Sequence, residues 1–250
     1  MSRTLGIIPA RYASTRFPGK PLAMIDGKTM IERVWTGVSN TGLLDDVVVA
    51  TDDQRIYDAV RGFGGDVRMT KTTHRSGTDR CGEVLQILND EGRKYDIVVN
   101  IQGDEPAVCG SQISALTTCF GDGATQIATL KKLITSEEEL LSPNVVKVVC
   151  AKDGSALYFS RHAIPYNRTN EEAVQYYKHV GIYAFRSDVL RNVVMLPVSP
   201  LESTESLEQL RWLYNGYKIK VAETEVENIS IDTPEDLHRF EQTLKSIQTK

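Results

Sequence analysis

The first hundred residues alternate short β-branched runs with amphipathic stretches, and this constrains the fold more than any other feature. LGIIPA (5–10), DVVVAT (46–51), DVRMT (66–70) and DIVVNIQ (96–102) read as strands. Between them, TMIERVWTGVSN (29–40), QRIYDAVRGFG (54–64) and TDRCGEVLQILND (78–90) space their apolar residues as helices do. Strands that are apolar on both faces and separated by helices predict an α/β protein with a parallel, helix-covered sheet. Ligands of such sheets bind outside the carboxyl ends of the strands, so the loops leaving the strands are where chemistry is expected.

The second half is more mixed. VVKVVCAKDGSALYFSR (145–161) reads as a hairpin turning at Asp153-Gly154, and HVGIYAFR (179–186) as a further strand. SLEQLRWLYNG (206–216) reads as a helix closed by Gly216, followed by the strand YKIKVAETEV (217–226). The last helix, 233–248, opens with Thr233 at the cap and Pro234 at the first helical position. One domain is expected, with 1–130 and 217–250 forming a nucleotide- and metal-binding core and 131–216 a smaller β-rich lobe.

Bulk properties exclude several classes. The net charge of −4 comes without a basic tail or an Arg/Lys-rich face, which argues against nucleic acid as a partner. No stretch approaches the roughly 20 apolar residues of a membrane span, and the short apolar run at the start does not fit a signal peptide. A cytoplasmic protein is expected. Cys81, Cys109, Cys119 and Cys150 form no CxxC pair and read as reduced thiols.

Three loops carry candidate chemistry. IPARYASTRFPGKPL (8–22), leaving the first strand, places Arg11, Arg16 and Lys20 in ten residues without an acid, with Gly19 just before the lysine. Several cations on one wrapping loop suit a nucleoside triphosphate, although a solvated basic loop would look the same. The loop is not a P-loop, because the glycine that Gly27-Lys28-Thr29 would require falls on Leu22, and no GxGxxG follows the first strand. NIQGDEPAV (100–108) sets Asp104 at the end of a buried strand, where a carboxylate beside a triphosphate calls for a cation such as Mg²⁺ between them. In NISIDTPEDL (228–237), Glu235 and Asp236 suit the first turn of a helix. Asp232 is either a turn residue or, if it converges with Asp104, half of a two-carboxylate Mg²⁺ site. A fourth segment, THRSGTDR (73–80), is a weaker signal: a helix start that could face a ligand or simply cap itself.

Together with NVVKVV, ALYFSRHAIPYNR, KHVGIYAFR and SPLESTESLEQLR, these segments resemble the 3-deoxy-manno-octulosonate (Kdo) cytidylyltransferase family along residues 7 to about 237. The resemblance implies a Rossmann-like nucleotidyltransferase fold, a homodimer, and Mg²⁺-dependent transfer of CMP from CTP to Kdo for lipopolysaccharide precursor supply. It implies that Arg11, Arg16 and Lys20 contact the triphosphate, with Arg16 and Lys20 acting in catalysis, and that Ala10, Ser76, Gln102 and Gly103 surround the cytidine. Asp104 and Asp232 would hold the Mg²⁺, and the sugar would lie against Arg161, His179, Tyr183, Glu208 and Gln209 with Lys147 nearby. The short segment IPYNRTNEEAVQYYKH departs from the pattern and is a candidate dimer arm. The alternatives are an acceptor related to Kdo (8-amino-Kdo or sialic acid) and a nucleotide-binding regulatory module without turnover.

Overall fold

The structure, a computed structural model, describes residues 2–13, 16–169, 174–227 and 229–248, with side chains described as far as residue 243. The chain forms two compact units: Met1–Gly110 with Asn228–Lys250, and Ser111–Glu227. The strands Ile127–Leu133 and Ile219–Glu223 lie in the second unit, whereas the sequence places the boundaries at 130 and 217.

The first unit is the expected parallel sheet. Its strands run Ile97–Asn100, Thr4–Ala10, Asp46–Thr51, Asp66–Met69 from one side to the other, every pair parallel. Leu5, Ile7, Ile8, Val48, Val49, Val98 and Val99 are wholly buried, as two-faced apolar strands require. The helices Met30–Ser39, Gln54–Gly62 and Gly77–Asp90 connect them, each with its own stop and start signals. Thr29 Oγ1 accepts from the Glu32 N–H and Asp53 Oδ1 from the Arg55 N–H. Each cap is worth about 1 kcal/mol because it satisfies an otherwise orphaned helix donor.

The closing helix, Pro234–Gln248, belongs to the same unit, and the expected cap at Thr233 is present. Thr233 Oγ1 accepts from the Asp236 N–H, while Asp236 Oδ2 accepts from the backbone N–H groups of Asp232 (3.1 Å) and Thr233 (3.0 Å). Asp236 therefore does more than complement the helix dipole, since it ties down the turn that bears Asp232.

In the second unit the strand Ile127–Leu133 pairs in parallel with Ile219–Glu223 and antiparallel with Tyr177–Arg186. The pairing with Tyr177–Arg186 shifts register between Val180 and Tyr183, so the strand is bulged there. The expected hairpin is present as Lys147–Cys150 against Ala156–Ser160. Gly154 at its turn takes φ 79°, and Asp153 accepts from the Ser155 N–H. The helix expected over 206–216 is shorter, Gln209–Tyr214, and a separate helix, Pro200–Glu205, precedes it. The interruption is Ser206, whose φ of 52° is a left-handed conformation that no helix interior tolerates. Of the proposed dimer arm, residues 170–173 lie outside the described residues. No helix among the described residues is long and apolar enough to cross a membrane.

Candidate active site

The four strands of the first unit's main sheet are parallel, with a separate antiparallel pair at Met24–Ile25 and Lys28–Thr29, so the loops after Ala10 and Asn100 leave the sheet on the same edge. They are brought together by a glycine. A Cβ on Gly103 would sit 2.7 Å from the Pro9 carbonyl oxygen, so only glycine lets the Gln102–Asp104 turn lie against the end of the first strand. Gly19, with φ 74°, donates to the Tyr12 carbonyl and folds the cationic loop back on itself.

A buried apolar cluster brings in the third segment. Ile25, Met30, Ile231 and Phe240 form its centre, and Phe17 packs on it from the cationic loop. Burying a side chain the size of Ile231 stabilises by about 1.5–3 kcal/mol, and this anchors the residue next to Asp232. The Ile231 N–H also donates to the Asp104 carbonyl (3.0 Å), a direct backbone tie between the two acidic turns.

The result is a cleft of about 320 Å³. Ala10, Arg11, Arg16, Lys20, Ser76, Gln102, Gly103, Asp104 and Asp232, the residues expected around nucleotide and metal, all line it. Lys20 Nζ lies 2.7 Å from Asp104 Oδ2 and 3.1 Å from Asp232 Oδ1, and Arg16 Nη2 lies 3.1 Å from Asp232 Oδ2. The two carboxylates thus converge on a single cation. Among the described residues no group of three or more His, Cys, Asp or Glu side chains gathers as a metal cluster. A pair of carboxylates suits an ion such as Mg²⁺, which takes one or two of them and completes its shell with water and substrate phosphate.

Ser76 caps the helix Gly77–Asp90 in a reciprocal box with Asp79, as the capping reading of THRSGTDR expects, and it also lines the cleft. The sequence reading missed three cleft residues beside it: His74, Arg75 and Arg80. His74 Nε2 is 2.5 Å from Glu83 Oε2. Burial by itself would raise the Glu83 carboxyl, but the Lys71 N–H and His74 outweigh it and hold it below the usual range. Arg80, 4% exposed, reaches Asp52 Oδ2 (2.8 Å) and Thr70 Oγ1. A basic residue inside a helix start is a visible signal. Its partner on a neighbouring strand end is not.

The residues expected around a sugar all lie in the second unit. Phe159, His179, Tyr183, Phe185 and Trp212 form a chain of aromatic contacts, with His179 5.0 Å from Phe159 and 5.3 Å from Tyr183 between ring centroids. Tyr183 is 7% exposed and its hydroxyl has no hydrogen-bond partner among the described residues, which suits a site that binds a polar ligand. Burial first, and then Glu208, push that hydroxyl far above its ordinary titration range. Gln209, at the start of the short helix, is buried rather than on a solvent face. Arg161 and Lys147 sit in a separate set of backbone contacts beside this group.

His179 keeps some accessible surface as a residue, but its ring is enclosed, and burial lowers its pKa to about 3. Its Nε2 lies 2.9 Å from Thr129 Oγ1. A neutral, enclosed imidazole has a consequence for stability. Between pH 6.5 and about 3 the unfolded chain takes up a proton that the folded chain refuses, so stability falls as pH drops through that window. Urea unfolding at pH 7 and pH 4.5 should show a loss that is smaller in His179→Gln. An equal loss in both proteins would mean that His179 protonates freely when folded.

The sequence profile of the family described as Cytidylyltransferase matches residues 5–225. The chain is 55% identical, over 250 residues, to the 3-deoxy-manno-octulosonate cytidylyltransferase of Bacteroides thetaiotaomicron, an alignment covering 97% of this chain and 98% of that one. It is 56% identical to the enzyme of the same name from Phocaeicola vulgatus over 249 residues, covering 96% and 97%. Among solved structures it matches CMP:2-keto-3-deoxy-manno-octonic acid synthetase complexed with CTP at a TM-score of 0.91 and 42% identity, over 98% of this chain and 99% of that one. Full-length identity of this order, on a fold with the same arrangement, means that the chain belongs to the 3-deoxy-manno-octulosonate cytidylyltransferase family.

Proposed function

We propose that this protein transfers CMP from CTP to Kdo, releasing pyrophosphate, with Mg²⁺ as its cofactor. The observation that carries the reading is the floor of the cleft, where Lys20 joins Asp104 and Asp232 under a loop that also brings Arg11 and Arg16. Support for the substrates comes from the relatives named for this reaction and from the relative solved with CTP. A homodimer, a cytoplasmic location where CTP is available, and a role in lipopolysaccharide precursor supply belong to the same reading.

In the reaction the anomeric hydroxyl oxygen of the sugar forms a bond to the α-phosphorus of CTP. The bond from that phosphorus to the bridging oxygen breaks, pyrophosphate departs, and the hydroxyl proton passes to solvent. Arg11, Arg16 and Lys20 offset the triphosphate charge and the charge that develops on the leaving pyrophosphate, so positioning and electrostatics supply most of the rate. Asp104 and Asp232 would hold the Mg²⁺, which supplies further charge neutralisation at the phosphates. Tyr183 and Gln209 would meet sugar hydroxyls, and Arg161 the sugar carboxylate, which a guanidinium fork can grip at both oxygens.

Pyrophosphate release with CTP, Mg²⁺ and Kdo tests the reading. Release is expected with this combination and not with ATP or GTP, nor with sialic acid in place of Kdo. Release with 8-amino-Kdo alone would change the acceptor. Silence in every reaction from a protein that still binds CTP would leave a nucleotide-binding module.

A further inference from the structure

Lys147 is fully buried, at 0% exposure, although it carries a charge. Its ammonium donates to three backbone carbonyls: Ser142 at 2.8 Å, Val145 at 2.7 Å and Arg161 at 2.6 Å. An ammonium has three N–H bonds, so all three are taken in this arrangement. The charge is solvated by peptide dipoles in place of water, and burial lowers the lysine pKa.

What these carbonyls have in common is Arg161. Ser142 and Val145 bracket Pro143, whose carbonyl accepts from Arg161 Nη1 at 2.9 Å. The third carbonyl is that of Arg161 itself. On the opposite side, Arg161 Nε donates to the Glu205 carbonyl (2.7 Å) and Nη2 approaches the Ser206 carbonyl (3.4 Å). The Glu205 carboxylate takes the Arg161 N–H and the Ser160 hydroxyl. The left-handed turn at Ser206, φ 52°, a conformation that non-glycine residues rarely adopt, occurs where these carbonyls face the guanidinium. Among the described residues these contacts take three of the five guanidinium N–H bonds, which leaves one on each terminal nitrogen for a ligand.

We propose that Lys147 is a positioning residue for acceptor binding: it holds the 142–145 turn and the Arg161 backbone so that the guanidinium presents its two remaining N–H bonds to the carboxylate of an acidic sugar. The inference rests on the reading of Arg161 as the residue that meets that carboxylate. Lys147 itself touches no substrate.

Lys147→Met tests it. The KM for Kdo is expected to rise at least tenfold while the KM for CTP stays within twofold, because the effect passes only through Arg161. In the Arg161→Ala background, Lys147→Met should add nothing further to the Kdo KM, since two residues acting through one contact are not additive. An additive effect, an unchanged Kdo KM, or loss of CTP binding together with Kdo binding would each overturn the proposal, the last by showing that Lys147 serves the fold as a whole. A substrate-free readout separates this from the proposed reaction. In the wild type the Arg161 Nε–H, identified by its disappearance in Arg161→Lys, should give a slowly exchanging NMR signal that becomes fast-exchanging in Lys147→Met. A wild-type protein that shows this signal but no turnover with Kdo would sink the reaction and keep the positioning role. A signal unaffected by Lys147→Met would sink the positioning role whatever the enzyme turns over.

Discussion

Asp104→Asn is expected to lower kcat with CTP and Kdo by roughly 10³-fold, the scale on which losing a group that manages transition-state charge is felt. The carboxylate has two tasks in the proposed reaction. It accepts from Lys20 Nζ at 2.7 Å, and together with Asp232 it would hold the divalent ion against the triphosphate. An amide keeps the shape and one acceptor oxygen but loses the charge, so both tasks weaken with little change in packing. The fold should not notice. Asp104 is partly exposed, its backbone carbonyl still accepts from the Ile231 N–H, and Lys20 keeps Asp232 at 3.1 Å. The substituted amide keeps one oxygen to accept from Lys20, so only part of this partly buried, charge-assisted bond is lost, about 1 kcal/mol, and the melting temperature should move by only about 2–4 °C. Turnover within tenfold of the wild type, with native melting, would remove Asp104 from the metal site. Lost turnover accompanied by a collapsed melting curve would instead make Asp104 a structural residue.

How much of this site could be read from the chain alone depends on how local the information was. Arg11, Arg16, Lys20 and Asp104 were legible because they follow buried strands, and the period of those strands is written in consecutive residues. Asp232 was legible only as one of two possibilities. What brings it to Asp104 is the burial of Ile231 against Met30 and Phe240 and a backbone bond across more than a hundred residues, neither of which leaves a local trace. Arg80 has the same character, since its burial depends on Asp52 at the end of another strand. In the second unit the hairpin is clear from its Asp153-Gly154 turn, but the spacing near residue 206 predicts a longer helix than the one that forms. Helical spacing continues through SLEQLR, and nothing in the residue type of Ser206 announces a left-handed turn. That conformation coincides with the long-range contacts of Arg161, and so does the buried ammonium of Lys147, which the family resemblance places near the sugar.

Lys20→Met is expected to act in two opposite directions, and the opposition is what makes it informative. Turnover should fall by roughly 10²–10³-fold, because a cation that offsets triphosphate charge is gone. Binding of Mn²⁺, used as a spectroscopic substitute for Mg²⁺, should become tighter in the absence of CTP. In the described geometry the ammonium occupies oxygens of both Asp104 and Asp232, the lone pairs that a divalent ion would need. Metal entry to the nucleotide-free protein must therefore break two charge-assisted hydrogen bonds, each worth about 1.5–3 kcal/mol. Replacing the ammonium with an apolar chain end removes that competition and leaves, among the described residues, Arg16 as the cation still paired with one of the two carboxylates. Even after allowance for solvent exposure, a gain of about tenfold in Mn²⁺ affinity is expected, equivalent to about 1.4 kcal/mol. Counting free Mn²⁺ by electron paramagnetic resonance measures this without any catalysis. The gain should shrink once CTP is present, because in the wild type the triphosphate then draws Lys20 away from the carboxylates. Tighter Mn²⁺ binding alongside poor turnover would establish that lysine and metal share one pair of acids, so that the metal enters most readily with the nucleotide. Weaker or unchanged Mn²⁺ binding would mean that the ion is held elsewhere, and the pairing of Asp104 with Asp232 around Lys20 would then be a structural ion cluster.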